Sequence, residues 1–160
     1  MTSTDAVARL RESIGVSRGP SSWRTITQEE IDSFADVSGD HYWIHVDPAR
    51  AKEESPFGTT VAHGNLTLSM IDALVMSIEG GEILGDEDVE VGFNMGWNRV
   101  RFPSPVPVGS RIRATAELAS VEDKGDGWWE LVDRFKVEIE GGEKPAAVAD
   151  SVTRLQLKQP

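Results

Sequence analysis

The chain has 160 residues, which fits one domain of ordinary size. Its 27 Asp and Glu outnumber its 16 Lys and Arg, and the formal net charge of −11 argues against a protein that coats nucleic acid or an anionic membrane. Cysteine is absent, which excludes disulfides, thiolate nucleophiles and cysteine-ligated metal sites. No apolar run reaches the roughly 20 residues of a spanning helix, and no signal-peptide pattern is present, so we expect a cytoplasmic domain without a membrane partner.

The N-terminal segment, residues 1–22, combines Ser, Thr, Gly, Pro and charged residues with few aliphatic ones. We expect it to be peripheral, with at most a short helix, and we expect residues 23–160 to form a single domain. The first clear helix begins at Thr27, because Thr27 and Glu30 have the spacing of a capping box. Gly39 can end this helix, since glycine readily adopts the left-handed conformation of a C-cap.

The segment from Gly39 to His63 is polar and irregular, with one short helix expected near Pro48–Glu53. Long irregular loops are uncommon in compact domains and tend to carry function. This loop also holds all the histidines of the chain, which are His41, His45 and His63. Their crowding is the first indication of a functional site.

A second helix is predicted from about His63 to Ile78, and apolar residues occupy most of its circumference. Such a helix is typical of a buried position, with a sheet wrapped around it. Strand-like segments separated by Gly- and Pro-rich turns follow at Val89–Phe102, Arg111–Val121, Trp129–Ile139 and Ala146–Leu157. A helical first half followed by an antiparallel meander predicts an α+β fold.

Asp40 and His45 lie close together on the loop, where both side chains can turn toward one point. A carboxylate and an imidazole can hold a water molecule between them and transfer protons in either direction. Gly64, at the start of the second helix, offers an unhindered N–H that could stabilise a developing oxyanion. These features suit the addition or removal of water beside an activated carbonyl. The structural alternative, in which Asp40 braces the turn after Gly39 and His63 caps the helix, stays open.

A metal site is a further interpretation of the same loop. His41 and His45 have the i, i+4 spacing of two ligands on a helix, but the flanking Gly39 and Pro48 leave room for a short helix only. No His-Glu-x-x-His sequence is present. We therefore expect no metal.

Three stretches occur together in the first half of the chain. They read Ser38-Gly39-Asp40-His41-Tyr42-Trp43-Ile44-His45-Val46-Asp47, Pro56-Phe57-Gly58 and Ala62-His63-Gly64-Asn65-Leu66-Thr67-Leu68. In this combination they resemble the MaoC-like dehydratase family, which includes the (R)-specific enoyl-CoA hydratases. The sequence Trp43-Ile44-His45 is most similar to the nodulation protein N-like branch, and the segment 99–109 is similar to a later strand-turn block of the family.

The resemblance implies a hot-dog fold, in which a curved antiparallel sheet wraps around one long helix, usually within a homodimer. It also implies that Asp40 and His45 form the catalytic dyad and that the Gly64 N–H binds the thioester oxygen. The implied reaction is a hydro-lyase reaction, the reversible addition of water to a trans-2-enoyl thioester to give the (3R)-hydroxyacyl thioester. No separate cofactor is implied, since coenzyme A or the pantetheine arm of an acyl carrier protein is part of the substrate.

The sequence departs from the pattern of the family in two places, which together involve three residues. Tyr42 and Trp43 replace an Asn-Pro pair that many hydratases have between the dyad residues, and Asp72 replaces a serine found in some members. We expect these three residues, together with His63, to take part in substrate binding.

Four arginines lie within a short span of this acidic chain, at Arg99, Arg101, Arg111 and Arg113. Such a patch could contact the phosphates of coenzyme A, and we expect Arg99 and Arg101 to bind substrate in this way. The alternative is that the arginines lie on two solvated strands that face each other.

Two other functions remain open for the same residues. A hot-dog thioesterase would use the scaffold and a carboxylate to hydrolyse the thioester, whereas a non-catalytic subunit would bind the acyl thioester only. The pairing of Asp40 with His45 in one loop favours hydration over both.

Overall fold

The computed structural model describes residues 3–158, with the helices preceding the long strands. The helices are α1 Ser3–Glu12, α2 Gln28–Ser38, α3 Trp43–Val46, α4 Pro48–Glu54, α5 Gly64–Ser69 and α6 Ile71–Met76. The strands are β1 Ser17–Arg18, β2 Arg24–Thr25, β3 Val89–Arg101, β4 Arg111–Gly125, β5 Trp128–Ile139 and β6 Ala147–Leu157. Within residues 3–158, no helix combines the length and the apolar character needed to cross a bilayer.

The strands form one antiparallel sheet in the order β1-β4-β5-β6-β3, with β2 also paired to β4. Strands β4, β5 and β6 form the predicted meander, but β3 pairs with the far side of β6 and not with its sequence neighbour β4. The connecting segment 103–108 explains this, because its prolines favour extended backbone over a tight hairpin. Its backbone pairs instead with residues 60–62, where Ala62 donates to the Val106 oxygen and Val108 donates to the Thr60 oxygen.

Helix α2 forms as the sequence predicts. The Thr27 side chain accepts a hydrogen bond from the Glu30 N–H, and the Glu30 carboxylate accepts one from the Thr27 N–H, which completes the capping box. Ile31 and Ala35 are buried, and Ile31 belongs to the main core. Gly39 ends the helix with a φ of 77°, a conformation that glycine adopts without a steric penalty. The chain therefore turns sharply at Gly39, directly before Asp40.

The predicted second helix is present as two consecutive helices, α5 and α6, joined at Met70. Backbone hydrogen bonds continue through the joint, because Met70 donates to Leu66 and accepts from Leu74. The inner face, including Leu66, Ile71 and Leu74, packs against apolar residues of β4, β5 and β6. The outer face is open, and Met76 is 82% exposed. Within a single chain the sheet therefore covers the inner side of this helix, as the prediction of a sheet wrapped around it requires, and leaves the outer side open.

The described part of the N-terminal segment, from Ser3 onward, packs onto the sheet through α1 and β1, in contrast to the expectation that the segment is peripheral. Ala6 and Leu10 of α1 are 1% and 0% exposed. They lie in a second apolar cluster with Leu118, Leu131, Leu155 and Leu157. The reason is their i, i+4 spacing, which gives an otherwise polar helix one apolar stripe that covers the far end of the sheet. Arg18 of β1 adds an ion pair with Asp133 of β5.

Candidate active site

The turn after α2 and two later segments bring three polar side chains together. Asp40 directly follows the end of α2, His45 lies on α3, and His63 precedes α5. One carboxylate oxygen of Asp40 and one ring nitrogen of each histidine all lie within 4.8 Å of one another. The structure thus places Asp40 beside His45, as the sequence predicts, and adds His63 as their direct neighbour.

His45 is half-buried, and a main-chain carbonyl orients its ring. Its Nδ1 lies 2.7 Å from the Val61 oxygen, so Nδ1 carries a proton and Nε2 keeps its lone pair in the neutral ring. Burial lowers the pKa of His45 below its usual value, the Val61 carbonyl and the Asp40 charge oppose this, and His63 reinforces it. A neutral imidazole with a free Nε2 can accept a proton from water.

Helix α2 fixes the backbone that carries His45. The Gln28 side-chain amide donates to the His45 carbonyl oxygen at 2.8 Å, and the Thr60 hydroxyl donates to the Gln28 Oε1 at 2.5 Å. Thr60 is fully buried. Sequence reasoning missed Gln28, because its partners are 17 and 32 residues away and no local pattern signals them.

His63 is 3% exposed and contacts both residues of the predicted dyad. Its Nε2–H donates to the backbone oxygen of Asp40 at 2.9 Å, and its ring stacks on that of His45 with centroids 3.8 Å and planes 27° apart. Phe34 of α2 packs against the same ring, with centroids 5.0 Å apart. Within residues 3–158, the buried Nδ1 has no hydrogen-bond partner. His63 occupies the N-cap position of α5, but its side chain makes no capping hydrogen bond.

Asp40 is exposed to solvent, and its Oδ1 accepts a hydrogen bond from the Tyr42 N–H at 3.3 Å. This contact braces the turn, as the structural alternative expected, and leaves Oδ2 available for a water molecule. The bracing and the chemistry are therefore compatible. His41 points elsewhere: it is exposed, and its Nε2 lies 3.7 Å from Asp36.

The cluster of Asp40, His45 and His63 is the set of residues that could hold a metal ion in the described part of the chain. A metal binds an imidazole along the nitrogen lone pair, which lies in the plane of the ring. Because the two rings are stacked, an ion in the plane of one ring would lie well outside the plane of the other. The cluster therefore fits proton transfer better than metal binding.

Gly64 is the first residue of α5, where the N–H has no acceptor within the helix. A Cβ at this position would lie 2.7 Å from a carbon of the Phe102 ring, which is closer than real contacts allow. Only glycine fits beneath this ring as it stands. The position combines a backbone donor that has no acceptor within the helix with the positive end of the helix dipole, although a helix this short has only a weak dipole.

Comparison with known proteins identifies the family. Residues 9–129 match the family model described as MaoC like domain. The chain belongs to the MaoC-like domain family. It is 48% identical over 157 residues to 3-hydroxyacyl-thioester dehydratase Z of Mycobacterium tuberculosis, covering 96% of this chain and 98% of the relative. It is 41% identical over 152 residues to nodulation protein N of Rhizobium leguminosarum, covering 95% and 92% of the two chains.

The fold of this MaoC-like protein also matches a solved structure. The monoamine oxidase regulatory protein from Archaeoglobus fulgidus superposes with a TM-score of 0.72 at 28% identity, covering 92% of each chain. The family resemblance and the α+β, hot-dog fold class predicted from the sequence are both confirmed. The match also begins within the N-terminal segment, in agreement with the packing of α1 on the sheet.

The residues that depart from the MaoC-like pattern occupy different surroundings. Tyr42 is 59% exposed and lies 5.8 Å from the ring of Trp43. The Trp43 ring is covered on one face by the Arg50 guanidinium of α4, which lies 4.4 Å from the ring centroid. Asp72 is exposed in the first turn of α6, on the open outer face of the helix. Tyr42 and Asp72 are therefore accessible to a ligand, whereas Trp43 supports α4.

The four arginines do not form one patch, because β5 and β6 separate β3 from β4. Arg111 and Arg113 form ion pairs with Glu140 and Glu138 on the neighbouring strand and its turn. Arg99 and Arg101 lie on the other edge of the sheet, where both are exposed. The single basic patch was predicted from the closeness of the four arginines in the sequence, and the sheet order contradicts both that patch and the alternative of two strands that face each other.

Proposed function

We propose that this protein is an (R)-specific enoyl-thioester hydratase, which in reverse dehydrates (3R)-hydroxyacyl thioesters. The observation that carries the proposal is the meeting of the Asp40 carboxylate with a His45 ring whose tautomer leaves Nε2 free. The 48% identity to a protein named 3-hydroxyacyl-thioester dehydratase supports the same reaction class. The enzyme would be a hydro-lyase.

The proposed reaction needs a water molecule between Asp40 and His45. The carboxylate accepts a proton from the water, the hydroxyl adds to C3 of the trans-2-enoyl thioester, and the resulting enolate is protonated at the α-carbon. The proton taken from the water passes from Asp40 to the free Nε2 of His45, and the resulting imidazolium delivers it to the α-carbon, so that the H and the OH of one water are both added. The Gly64 N–H donates a hydrogen bond to the thioester oxygen, where negative charge develops during the addition. Dehydration follows the same steps in reverse.

The substrate carries its own activating group, so the proposal includes no separate cofactor. The acyl group would be bound through coenzyme A or through the pantetheine arm of an acyl carrier protein. Tyr42, Trp43 and Asp72 are proposed to shape the acyl pocket, with Tyr42 and Asp72 at its surface. The exposed Arg99 and Arg101 could reach the phosphates of the carrier.

We also infer a homodimer in the cytoplasm. Strand β3 is an unpaired edge of the sheet within the described chain, and long edge strands readily pair with another chain. Phe93 and Met95 on β3 are 52% and 53% exposed, and the outer face of α6 is also open. A second copy would cover these surfaces.

The acidic composition and the absence of cysteine support a cytoplasmic location.

The test is the hydration of crotonyl-CoA, measured as loss of enoyl-thioester absorbance with thiol release monitored in parallel. Loss of absorbance without thiol release is the expected result. Thiol release would favour the thioesterase instead. No change in either signal, with crotonyl-CoA and with longer enoyl thioesters, would favour an acyl-binding subunit without activity of its own.

A further inference from the structure

His63 contacts both Asp40 and His45 from the buried side of the site. It is too buried to bind substrate at the surface, and the proposed proton transfers do not use it. Its Nε2–H holds the Asp40 backbone at 2.9 Å, while its ring lies against the face of His45 at 3.8 Å. These are separate contacts, one made by a single ring nitrogen and the other by the whole ring. Both join segments that are far apart in the sequence, since Asp40 and His63 are 23 residues apart.

We propose that His63 is a positioning residue, which fixes the Asp40 backbone through its Nε2–H and supports the His45 ring by stacking. The proposal deepens the function proposed above and rests on it for its kinetic consequences. Asp40 is exposed and follows a left-handed glycine. Its other two hydrogen bonds, from its N–H to the Ser38 hydroxyl and from the Tyr42 N–H to its Oδ1, are both 3.3 Å long and lie within the same short turn, so His63 is its contact with a distant segment.

The support behind His63 is rigid enough for this role. Phe34 of α2 packs against the His63 ring. The backbone oxygen of His63 accepts a hydrogen bond from the Thr67 N–H in the first turn of α5. Misplacement of a catalytic group by about 1 Å can cost a factor of about 100 in rate. A buried ring held on both sides therefore offers the precision that an exposed carboxylate lacks.

The stacking also affects the charge state of His45. The titratable groups that act on His45 are Asp40, from the turn after α2, and His63, from the segment before α5. Of the elements packed nearby, α2 presents the neutral Gln28 with Asp32 behind it, and α4 presents Arg50 over Trp43. Burial lowers the pKa of His45, and the neighbouring His63 lowers it further. Because the His63 ring stacks on His45, we expect removal of that ring to expose His45 more and to raise its pKa.

Two substitutions separate the two contacts. His63→Phe keeps a ring beneath His45 but removes the donor to Asp40, so we expect kcat to fall roughly 10- to 100-fold with KM changed by less than about twofold. His63→Gln keeps a donor near the position of Nε2 but removes the ring, so we expect His45 to titrate at higher pH. His41→Gln is the control, because His41 is exposed and lies outside the cluster.

The titration is followed by NMR of the histidine ring protons, which are few because the chain has three histidines. This readout needs no substrate, so it tests the stacking even if crotonyl-CoA is not hydrated. The wild-type protein supplies a further measurement: nitrogen–proton correlations should show His63 protonated on Nε2. A His63 protonated on Nδ1 would overturn the proposed anchor of Asp40. If His45 titrates as in the wild type in His63→Gln and kcat is unchanged in His63→Phe, His63 has no positioning role and serves only to fill the core.

Discussion

Asp40 and His45, the two residues of the proposed dyad, lie in different surroundings. The carboxylate of Asp40 is solvent-exposed and has one hydrogen bond from the backbone, whereas His45 is half-buried and has its tautomer set by the Val61 carbonyl. A carboxylate can accept a proton from water, and burial lowers the pKa of the His45 imidazole, which favours its neutral form. The two groups therefore provide complementary acid–base properties without a metal ion in the proposed mechanism.

The substitution Asp40→Asn keeps the size of the side chain but removes the proton acceptor. We expect the hydration rate to fall roughly 10²- to 10⁴-fold, with an unchanged melting temperature. The matched control is Asp36→Asn, because Asp36 is an exposed carboxylate beside His41, outside the cluster. Near-normal activity in the Asp40 variant would remove this residue from the mechanism.

The pH dependence of kcat/KM reports the protonation of His45 in the free enzyme. Protonation occupies Nε2, so the rate should fall as the pH falls. Because burial lowers the pKa of His45, the midpoint of this acidic limb should lie below the ordinary value of 6.5. The limb is measured from initial rates of crotonyl-CoA hydration between about pH 5 and pH 8. A profile that stays flat across that range would exclude His45 as a proton carrier.

At the scale of elements, the start of α5 is defined by the contact between Gly64 and Phe102. Gly64 has no positive φ, so alanine fits the backbone there and the cost of Gly64→Ala comes from the collision with the ring. We expect lower stability and lower activity. The double substitution Gly64→Ala with Phe102→Leu should recover part of both, as measured by thermal melts and initial rates. If the double variant recovers neither stability nor activity, the collision with the Phe102 ring is not the cause of the loss in Gly64→Ala.

The first strand connects the N-terminal segment to the sheet through a mostly buried ion pair, Arg18 with Asp133. Burial raises the pKa of Asp133, and Arg18 opposes that effect. Replacing Arg18 by Met leaves the carboxylate without its partner, so we expect a loss of about 3 kcal/mol in the free energy of unfolding at neutral pH. A raised pKa means that the folded state binds the extra proton, so this loss should be smaller near pH 4.

Urea denaturation at several pH values measures this effect. The control is Arg24→Met, since the pair of Arg24 with Glu30 is more exposed and such pairs contribute at most about 1 kcal/mol. Equal losses of unfolding free energy in the two variants would show that burial does not make the Arg18 ion pair more stabilising than the exposed Arg24 pair.

Elements defined by local patterns were predictable, and those defined by distant contacts were not. The capping box at Thr27 and the stop at Gly39 lie within α2 itself, and α2 was predicted from end to end. The position of β3 depends on segment 103–108 pairing with residues 60–62, far away in the sequence. For the same reason, the sequence pointed to Asp40 and His45 but gave no sign of the stacking on His63, which only the folded chain produces.

At the scale of the whole molecule, the open edge of β3 is the main feature that a single chain leaves exposed. Met95→Lys places a charge in the proposed interface between two copies, so we expect the dimer to dissociate to monomers in sedimentation velocity experiments. Val16→Lys is the matched control, because Val16 is a similarly exposed apolar residue, at 52%, on the N-terminal segment. A wild-type protein that sediments as a monomer would contradict the proposed dimer.

The short stretch of residues 60–62 lies between α3 and segment 103–108. Val61 donates to the Ile44 oxygen at 3.1 Å, and its own oxygen accepts the His45 proton. Since the acceptor is a main-chain atom, every amino acid at position 61 supplies it, and point mutations there can leave the tautomer of His45 intact. Lengthening or shortening segment 103–108 by one residue would instead shift this stretch and the acceptor with it. The proposed chemistry should thus tolerate drift in side chains here better than insertions or deletions, which matters to anyone redesigning these loops.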